Sequence, residues 1–423
     1  MHDTALTASY RTGAAIGVGP VNAACLLLAY AFPPSSESGA QRPYRLFKYL
    51  PQNGCDVMVV CCASGVPDGS KERNISRVAG ESASAGARRL SRVIQRVLPY
   101  NEQLDWLPAA VRKAGQLIRA RKIRVIVSTS PPNCTHLAAL ILKHRFGIKW
   151  VADFRDPIYG NPFRNRRWGY PYDACLERLI FHEADAVIAV TDAMADAWKS
   201  RYPQHASKIH LIWNGYDPEV SIEPSPIPAR SHKVLLHAGS IYGARHPSML
   251  FSAIERLVAQ RRLDPALVRV RLIGDIDPNW LQAARHQFVE LHATGCIEYV
   301  DRRVSQHEAV RQMSEADGLL LLDLNAMDAT LQVPAKLFDY VRIGRPILAF
   351  TAHGSPTERI LLGSNVPDIC IYPGTPEQEV DEKVAAFFAL PTNSVAPSCW
   401  FREQFDGAVQ TTALSSILES LAS

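Results

Sequence analysis

No CxxC pair and no matching histidine spacing occurs among the nine cysteines, at positions 25, 55, 61, 62, 134, 175, 296, 370 and 399. Neither a zinc site nor a disulfide framework is indicated, and no metal is expected. Several of these cysteines lie inside apolar runs, where a thiol serves as a small hydrophobe in a reducing compartment, and the cytoplasm fits. Long apolar runs are missing too. The strongest, residues 23–32, is far short of the ~20 residues that cross a bilayer, and it lacks the basic flank and cleavage site of a signal peptide. A GxGxxG fingerprint is also absent. The lone GxG, Gly17-Val18-Gly19, precedes the first strand instead of following it, which argues against a dinucleotide fold.

What is present reads as an ordinary folded protein, 47% apolar and 21% charged over 423 residues, long enough for two or three domains. The net charge of +5 conceals an asymmetry: residues 1–215 carry 28 Lys+Arg against 16 Asp+Glu, and the remainder 18 against 25. Halves of opposite sign attract across a cleft, and the basic half suits anionic lipid or an anionic substrate. Solvated helix faces account for part of the same excess. No nucleic-acid partner is expected.

Residues 1–20 are small, polar and Gly-containing, and read as a mobile tail. Beyond them, apolar runs at 24–31, 56–61, 124–128, 149–153, 186–190 and 210–213 alternate with helical patterns at 104–121, 135–146 and 172–183. Continuous runs of this kind mark a parallel sheet covered on both faces. Prolines at 218, 224, 226 and 228 then make 217–232 a linker. The alternation restarts with runs at 234–238, 269–273, 297–300, 319–323, 346–350 and 369–372, with helices at 247–261 and 334–343. The fold class is α/β: two doubly wound, Rossmann-like domains, 21–216 and 233–397, joined by the linker and followed by a helical segment, 398–423. In such sheets ligands bind beyond the carboxyl ends of the strands, so the residues just after strands are the candidates.

After the first strand, Phe32-Pro-Pro-Ser-Ser-Glu-Ser-Gly39 is a small-residue loop whose backbone suits an anion, or a plain loop. The third strand runs out through Ser130-Pro-Pro-Asn-Cys-Thr-His136. Thr135 is placed to cap the next helix and His136 to face the cleft, holding an acceptor hydroxyl or supporting the cap. Val151-Ala-Asp-Phe-Arg-Asp-Pro157 puts Asp153, Arg155 and Asp156 at one strand end. They suit activation of a hydroxyl or clamping of a phosphate, with a structural ion pair as the alternative. In the second half, His237-Ala-Gly-Ser-Ile-Tyr-Gly-Ala-Arg245 supplies Gly239, Ser240 and Arg245 as a phosphate cradle. Pro334 starts and Gly344 ends a helix that carries Lys336 and Asp339. A short carboxylate there can accept both hydroxyls of a ribose, and an Asp–Lys surface pair is the plainer account. Gly354 and Ser355 follow the next strand toward the same cleft.

Taken in order, these segments resemble the retaining glycosyltransferases of family 4 with the GT-B fold, particularly the branch making bacterial exopolysaccharide and lipopolysaccharide. The resemblance rests on Phe32-Pro-Pro with Gly39 and Arg42, Ser130-Pro-Pro132, Val151-Ala-Asp-Phe-Arg-Asp-Pro157 and Asp185-Ala-Val-Ile-Ala-Val190. It continues through Asn214-Gly-Tyr-Asp217, His237-Ala-Gly-Ser240 and Pro334-Ala-Lys-Leu-Phe-Asp-Tyr340. It implies two domains facing a central cleft, acceptor on the first and nucleotide sugar on the second, with the last helix returning to the first. It further implies a UDP- or GDP-linked donor, no cofactor, and a glycan or lipid-linked acceptor. Catalytic candidates are then Asp156, Asp153, Arg155 and His136, and donor-binding candidates Gly39, Gly239, Ser240, Arg245, Pro334, Lys336, Asp339, Gly354 and Ser355. Asp339 falls at the second Glu of the family's E-x7-E element, whereas the first falls at Leu331, and Arg155-Asp156 replaces a common His-Asp pair. A nucleotide-sugar 2-epimerase and a non-catalytic subunit of the same fold are the alternatives. Basic helices around 88–96 and 112–124 imply peripheral attachment at the inner face of the membrane.

Overall fold

The computed structural model describes residues 23–423 except 36, 64–73, 80–85, 87, 88, 90–92, 95–97, 101, 162, 163, 165–168, 223, 224, 244, 303 and 324–330. The expected tail at 1–20 and most of the basic helix at 88–96 lie outside the described residues.

Thirteen strands are described: β1 Ala23–Ala29, β2 Cys55–Cys62, β3 Ile75–Val78, β4 Val125–Ser130, β5 Lys149–Phe154, β6 Ala186–Ala189, β7 Ile209–Leu211, β8 Lys233–Ala238, β9 Val268–Ile273, β10 Ile297–Val300, β11 Gly318–Leu322, β12 Ile347–Phe350 and β13 Asp368–Ile371. Every strand expected from an apolar run is among them. β3, with the mixed sequence Ile-Ser-Arg-Val and only partial burial, was not expected. The first seven form one sheet in the order β3-β2-β1-β4-β5-β6-β7, the last six another in the order β10-β9-β8-β11-β12-β13. Every strand pair described is parallel.

The near-continuous apolar runs are explained by burial on both faces. In the first sheet Leu26, Leu28, Ile126, Trp150 and Ala152 belong to one buried cluster with the helices Leu107–Arg121 and Cys134–Phe146. Their neighbours Cys25, Leu27, Val127 and Val151 point the other way, under the helices Gln41–Tyr49 and Gly407–Ala422. The second sheet repeats the arrangement, with Leu235, Leu320 and Leu348 on one face and Leu236, Leu319 and Leu321 on the other. The side-chain alternation of a strand thus builds two cores per sheet. Among the described residues no helix is long and apolar enough to cross a membrane.

In both sheets the strand order reverses between two adjacent strands, β1 and β4 in the first, β8 and β11 in the second. Loops leaving those strands diverge to opposite faces and leave a crevice beyond their carboxyl ends. The chain passes between the sheets at Gly215, where an added Cβ would meet the Phe405 carbonyl oxygen at 2.1 Å. There the Tyr216 N–H donates to the Phe405 carbonyl at 3.0 Å. Only a residue without a side chain admits that approach.

The last helical segment is two helices, Cys399–Gln404 and Gly407–Ala422, with the Asp406 side chain capping the second through the Ala408 N–H at 2.7 Å. Gly407–Ala422 lies on the first sheet, where Leu414 and Leu418 are buried with Leu27 and Val127.

Candidate functional site

At the switch point of the first sheet the charged groups are used up internally. Arg42, on the helix after β1, donates to both Asp153 carboxylate oxygens at 2.8–3.1 Å and to the carbonyls of Trp213 and Ile212 at 2.8 and 3.1 Å. Thr129 donates to the same carboxylate at 2.8 Å. Burial opposes ionisation of Asp153, yet Arg42 and Thr129 hold its carboxyl below the usual range. With 1% of its surface exposed, Asp153 ties β5 to the first helix and the hinge, and offers nothing to an acceptor.

Arg155 does not pair with either aspartate as expected. Its guanidinium donates to the carbonyls of Gly39, Ser130 and Pro131. A Cβ on Gly39 would strike that guanidinium, so Gly39 serves the packing of Arg155. The cleft-facing position expected for His136 is corrected as well. The ring is wholly buried between Trp150 and Phe154, with its Nδ1 at 2.8 Å from the Ser128 hydroxyl and its pKa pushed by burial to about 3. It is a neutral core residue, and burial beneath two aromatic rings won over the local helix-start pattern. Nor does Thr135 cap the helix. It sits inside the first turn, donating to the Thr129 and Pro132 carbonyls at 2.9 and 3.0 Å.

Asp156 differs from these. Its carboxylate makes no hydrogen bond to another described residue. Burial raises its pKa, opposed by Arg155 and by Arg245 of the second half. The two halves therefore meet electrostatically at Asp156.

At the switch point of the second sheet two cations, Lys336 and Arg245, are gathered. β8 ends in Ala238, and Gly239 follows at φ 149°, a conformation that L side chains rarely adopt. A Cβ there would stand 2.0 Å from the Lys336 Nζ, so this glycine makes the room the lysine occupies. Lys336 begins the helix Lys336–Ile343, which Gly344 ends. Pro334 lies just ahead of that helix and accepts the Leu337 N–H at 2.9 Å. The Lys336 Nζ donates to His237 Nε2 at 3.1 Å, and the opposite ring nitrogen of His237 is 2.9 Å from the Leu320 carbonyl. Burial and the neighbouring Arg245 push the Lys336 pKa down to about 7, with Asp323 opposing.

Arg245 approaches Asp323 at 3.9 Å, longer than a close ion pair. Asp323, at the end of β11, is 2% exposed and accepts the hydroxyls of Thr351 and Thr357 at 3.1 and 2.7 Å. Sequence reasoning did not select Asp323 or His237, because their partners lie on other elements, from 28 to 99 residues away in the chain. Ser355 is buried: its hydroxyl lies 3.0 Å from Thr351 and caps the helix Pro356–Ser364. Gly354 has open space before it and donates its N–H to Glu358. Ser240 leaves β8 beside Gly239 and is partly exposed.

Asp339, one turn along from Lys336, is partly exposed, and its carboxylate makes no hydrogen bond to another described residue. Burial raises its pKa against the pull of Arg342 and of Arg45 in the first half. Leu331 stands at the remaining position of the E-x7-E pattern. Its carbonyl accepts the Thr191 hydroxyl at 2.7 Å and its side chain packs on the first-half core. The ion pair Arg359–Asp192 at 2.6 Å crosses beside it. That position thus holds the halves together.

Residues 40–220 match the family model described as Glycosyltransferase Family 4. No curated protein matches the chain in sequence. Among solved structures, the Anabaena protein HepE in complex with UDP and glucose superposes with a TM-score of 0.63 at 14% identity, over 94% of this chain and 100% of that one. Sucrose-phosphate synthase from Thermosynechococcus elongatus gives 0.63 at 14% identity over 95% and 96%. UDP-GlcNAc 2-epimerase from Methanocaldococcus jannaschii gives 0.54 at 10% identity over 94% and 99%. At such identities the likenesses establish the fold alone, which is GT-B. Over residues 40–220 the sequence is similar to Glycosyltransferase Family 4, and over nearly the whole chain the fold is that of the GT-B glycosyltransferases.

Proposed function

We propose that the chain is a hexosyltransferase-type, retaining glycosyltransferase. It moves a sugar from a UDP- or GDP-linked donor to a glycan or lipid-linked acceptor in bacterial cell-surface polysaccharide synthesis, with no metal or cofactor. The observation that carries the reading is the convergence of Gly239, Arg245 and Lys336 beyond the carboxyl ends of β8 and β11. Two cations beside an open backbone turn are what a departing nucleoside diphosphate needs, since they stabilise charge that grows as the sugar bond breaks. Asp339, on the same helix and without a hydrogen-bond partner among the described residues, suits the two hydroxyls of a ribose. Asp156, whose charge Arg245 of the other half favours, orients the acceptor hydroxyl in this reading.

The test is a screen of nucleotide sugars, with products followed by chromatography with and without acceptor glycans or lipid-linked sugars. Transfer with release of a nucleoside diphosphate supports the reading. A donor converted to its epimer without acceptor supports a nucleotide-sugar 2-epimerase instead, and failure to bind any nucleotide supports a non-catalytic subunit. Attachment to the inner face of the membrane, from the cytoplasm, belongs to the same proposal. It is supported by the exposed Arg112, Arg119, Arg121, Lys122 and Arg124 on and after one helix. Flotation with anionic liposomes tests it, and absence of retention removes it.

A further inference from the structure

His237 has no place in the chemistry set out above, yet it is wholly buried beside Lys336 and within reach of the charge of Arg245. Its Nδ1 lies 2.9 Å from the Leu320 carbonyl, which can only accept, so that nitrogen carries the proton. Its Nε2 is then a lone pair, and the Lys336 ammonium donates to it at 3.1 Å. Burial, Lys336 and Arg245 together keep the imidazole neutral. A neutral acceptor fixes the direction of the lysine without cancelling its charge, as a carboxylate at the same place would. Gly239 leaves the lysine its path, since any side chain there would collide with the Nζ.

Among the described residues, the groups that act on Lys336 come from several elements. Arg245 follows β8 and disfavours the charged lysine, Asp323 ends β11 and favours it, and His237 on β8 is neutral. Tyr340, on the lysine's own helix, is buried and accepts the Ala238 N–H at 3.0 Å. Asp339 lies one turn along, and Asp156 approaches only as far as Arg245. An arriving diphosphate therefore meets one permanent cation, and a lysine whose proton is held loosely.

We propose that His237 is a positioning residue that aims Lys336 at the diphosphate of a bound nucleotide, and that nucleotide binding draws a proton from solvent onto Lys336. The inference rests on the donor-site reading above. Its sign follows directly. Below about pH 7 Lys336 is already charged in the free protein and its share of the affinity is constant. Above that pH a proton must be taken up on binding, so affinity falls by up to about tenfold per pH unit.

The experiment is calorimetry of the intact chain with uridine and guanosine diphosphates from pH 6.5 to 9, in buffers of different ionisation enthalpy. The wild type is expected to bind with a falling affinity above pH 7 and uptake approaching about one proton. Lys336→Arg, whose guanidinium stays charged, is expected to bind without that uptake. His237→Phe removes the acceptor and is expected to weaken binding by roughly tenfold or more, whereas His237→Gln, with an amide oxygen in reach, retains most of it. Should His237→Phe fail to fold by near-UV circular dichroism, His237→Gln and Lys336→Arg still decide the matter. Binding that is pH-independent from 7 to 9, or unchanged in a folded His237→Phe, overturns the inference and leaves the donor site standing. No binding of either diphosphate overturns both.

Discussion

The two switch points of this molecule are built from the same parts and do opposite things with charge. In the first sheet Arg42 closes on Asp153 with three hydrogen bonds, and Arg155 spends its guanidinium on backbone carbonyls. In the second, Lys336 rests on a neutral ring, and Arg245 reaches the Tyr242 hydroxyl at 3.3 Å and Asp323 at 3.9 Å. Satisfied charges hold a scaffold together, and loosely matched ones leave electrostatic work for a ligand. A cluster of charged residues at a strand end is therefore no site by itself. What distinguishes a site is how far its charges remain from neutrality once the fold is complete.

The sharpest way to break this comparison is Arg42→Ala. If the first switch point is scaffold, leaving Asp153 buried and unpaired should cost about 3–5 kcal/mol in urea unfolding. A loss well under 1 kcal/mol would mean that the pair is not structural. Because Arg42 holds the Asp153 carboxyl below its ordinary range, the pair's contribution is fully present above about pH 4. It is lost as pH falls through the lower folded value.

Arg245→Ala should do the reverse: little change in unfolding, but a loss of nucleoside-diphosphate affinity of roughly tenfold to a hundredfold. Asp339→Ala sharpens the second site internally. It should lower uridine diphosphate affinity by about tenfold and leave inorganic pyrophosphate binding unchanged, because only the nucleotide has a ribose. Equal losses for both ligands would remove Asp339 from the ribose. The smallest effect is expected from Arg359→Ala, whose partly exposed partner Asp192 makes the cross-cleft pair worth about 0.2–1 kcal/mol. Small-angle scattering would show whether the halves separate on average.

The sequence made the sheets legible because burial on both faces writes a strand as a solid apolar run; β11, Gly-Leu-Leu-Leu-Leu, is the plainest case. β3 escaped because an edge strand with Ser76 and Arg77 has no such run. The loops after β8 and before Lys336 were legible for the same local reason, since glycines and a helix start are near-neighbour signals. Partnerships were not legible. Arg42 and Asp153 are 111 residues apart, and His237 and Lys336 are 99 apart. Local pattern carries no information on which distant residue answers a charge. His136 was misread for this reason: Trp150 and Phe154, which bury it, arrive on the following strand.

The helix Gly407–Ala422 carries a consequence for how the molecule comes into being. Leu414 and Leu418 close the face of the first sheet formed by Leu27, Val127 and Val151, and the Thr412 hydroxyl donates to Asn53 at 3.0 Å. That face is complete only when residues some four hundred positions later have emerged, so during synthesis the earliest strands wait half-covered while the second sheet is made. A first half cut off before that helix is expected to expose this apolar face.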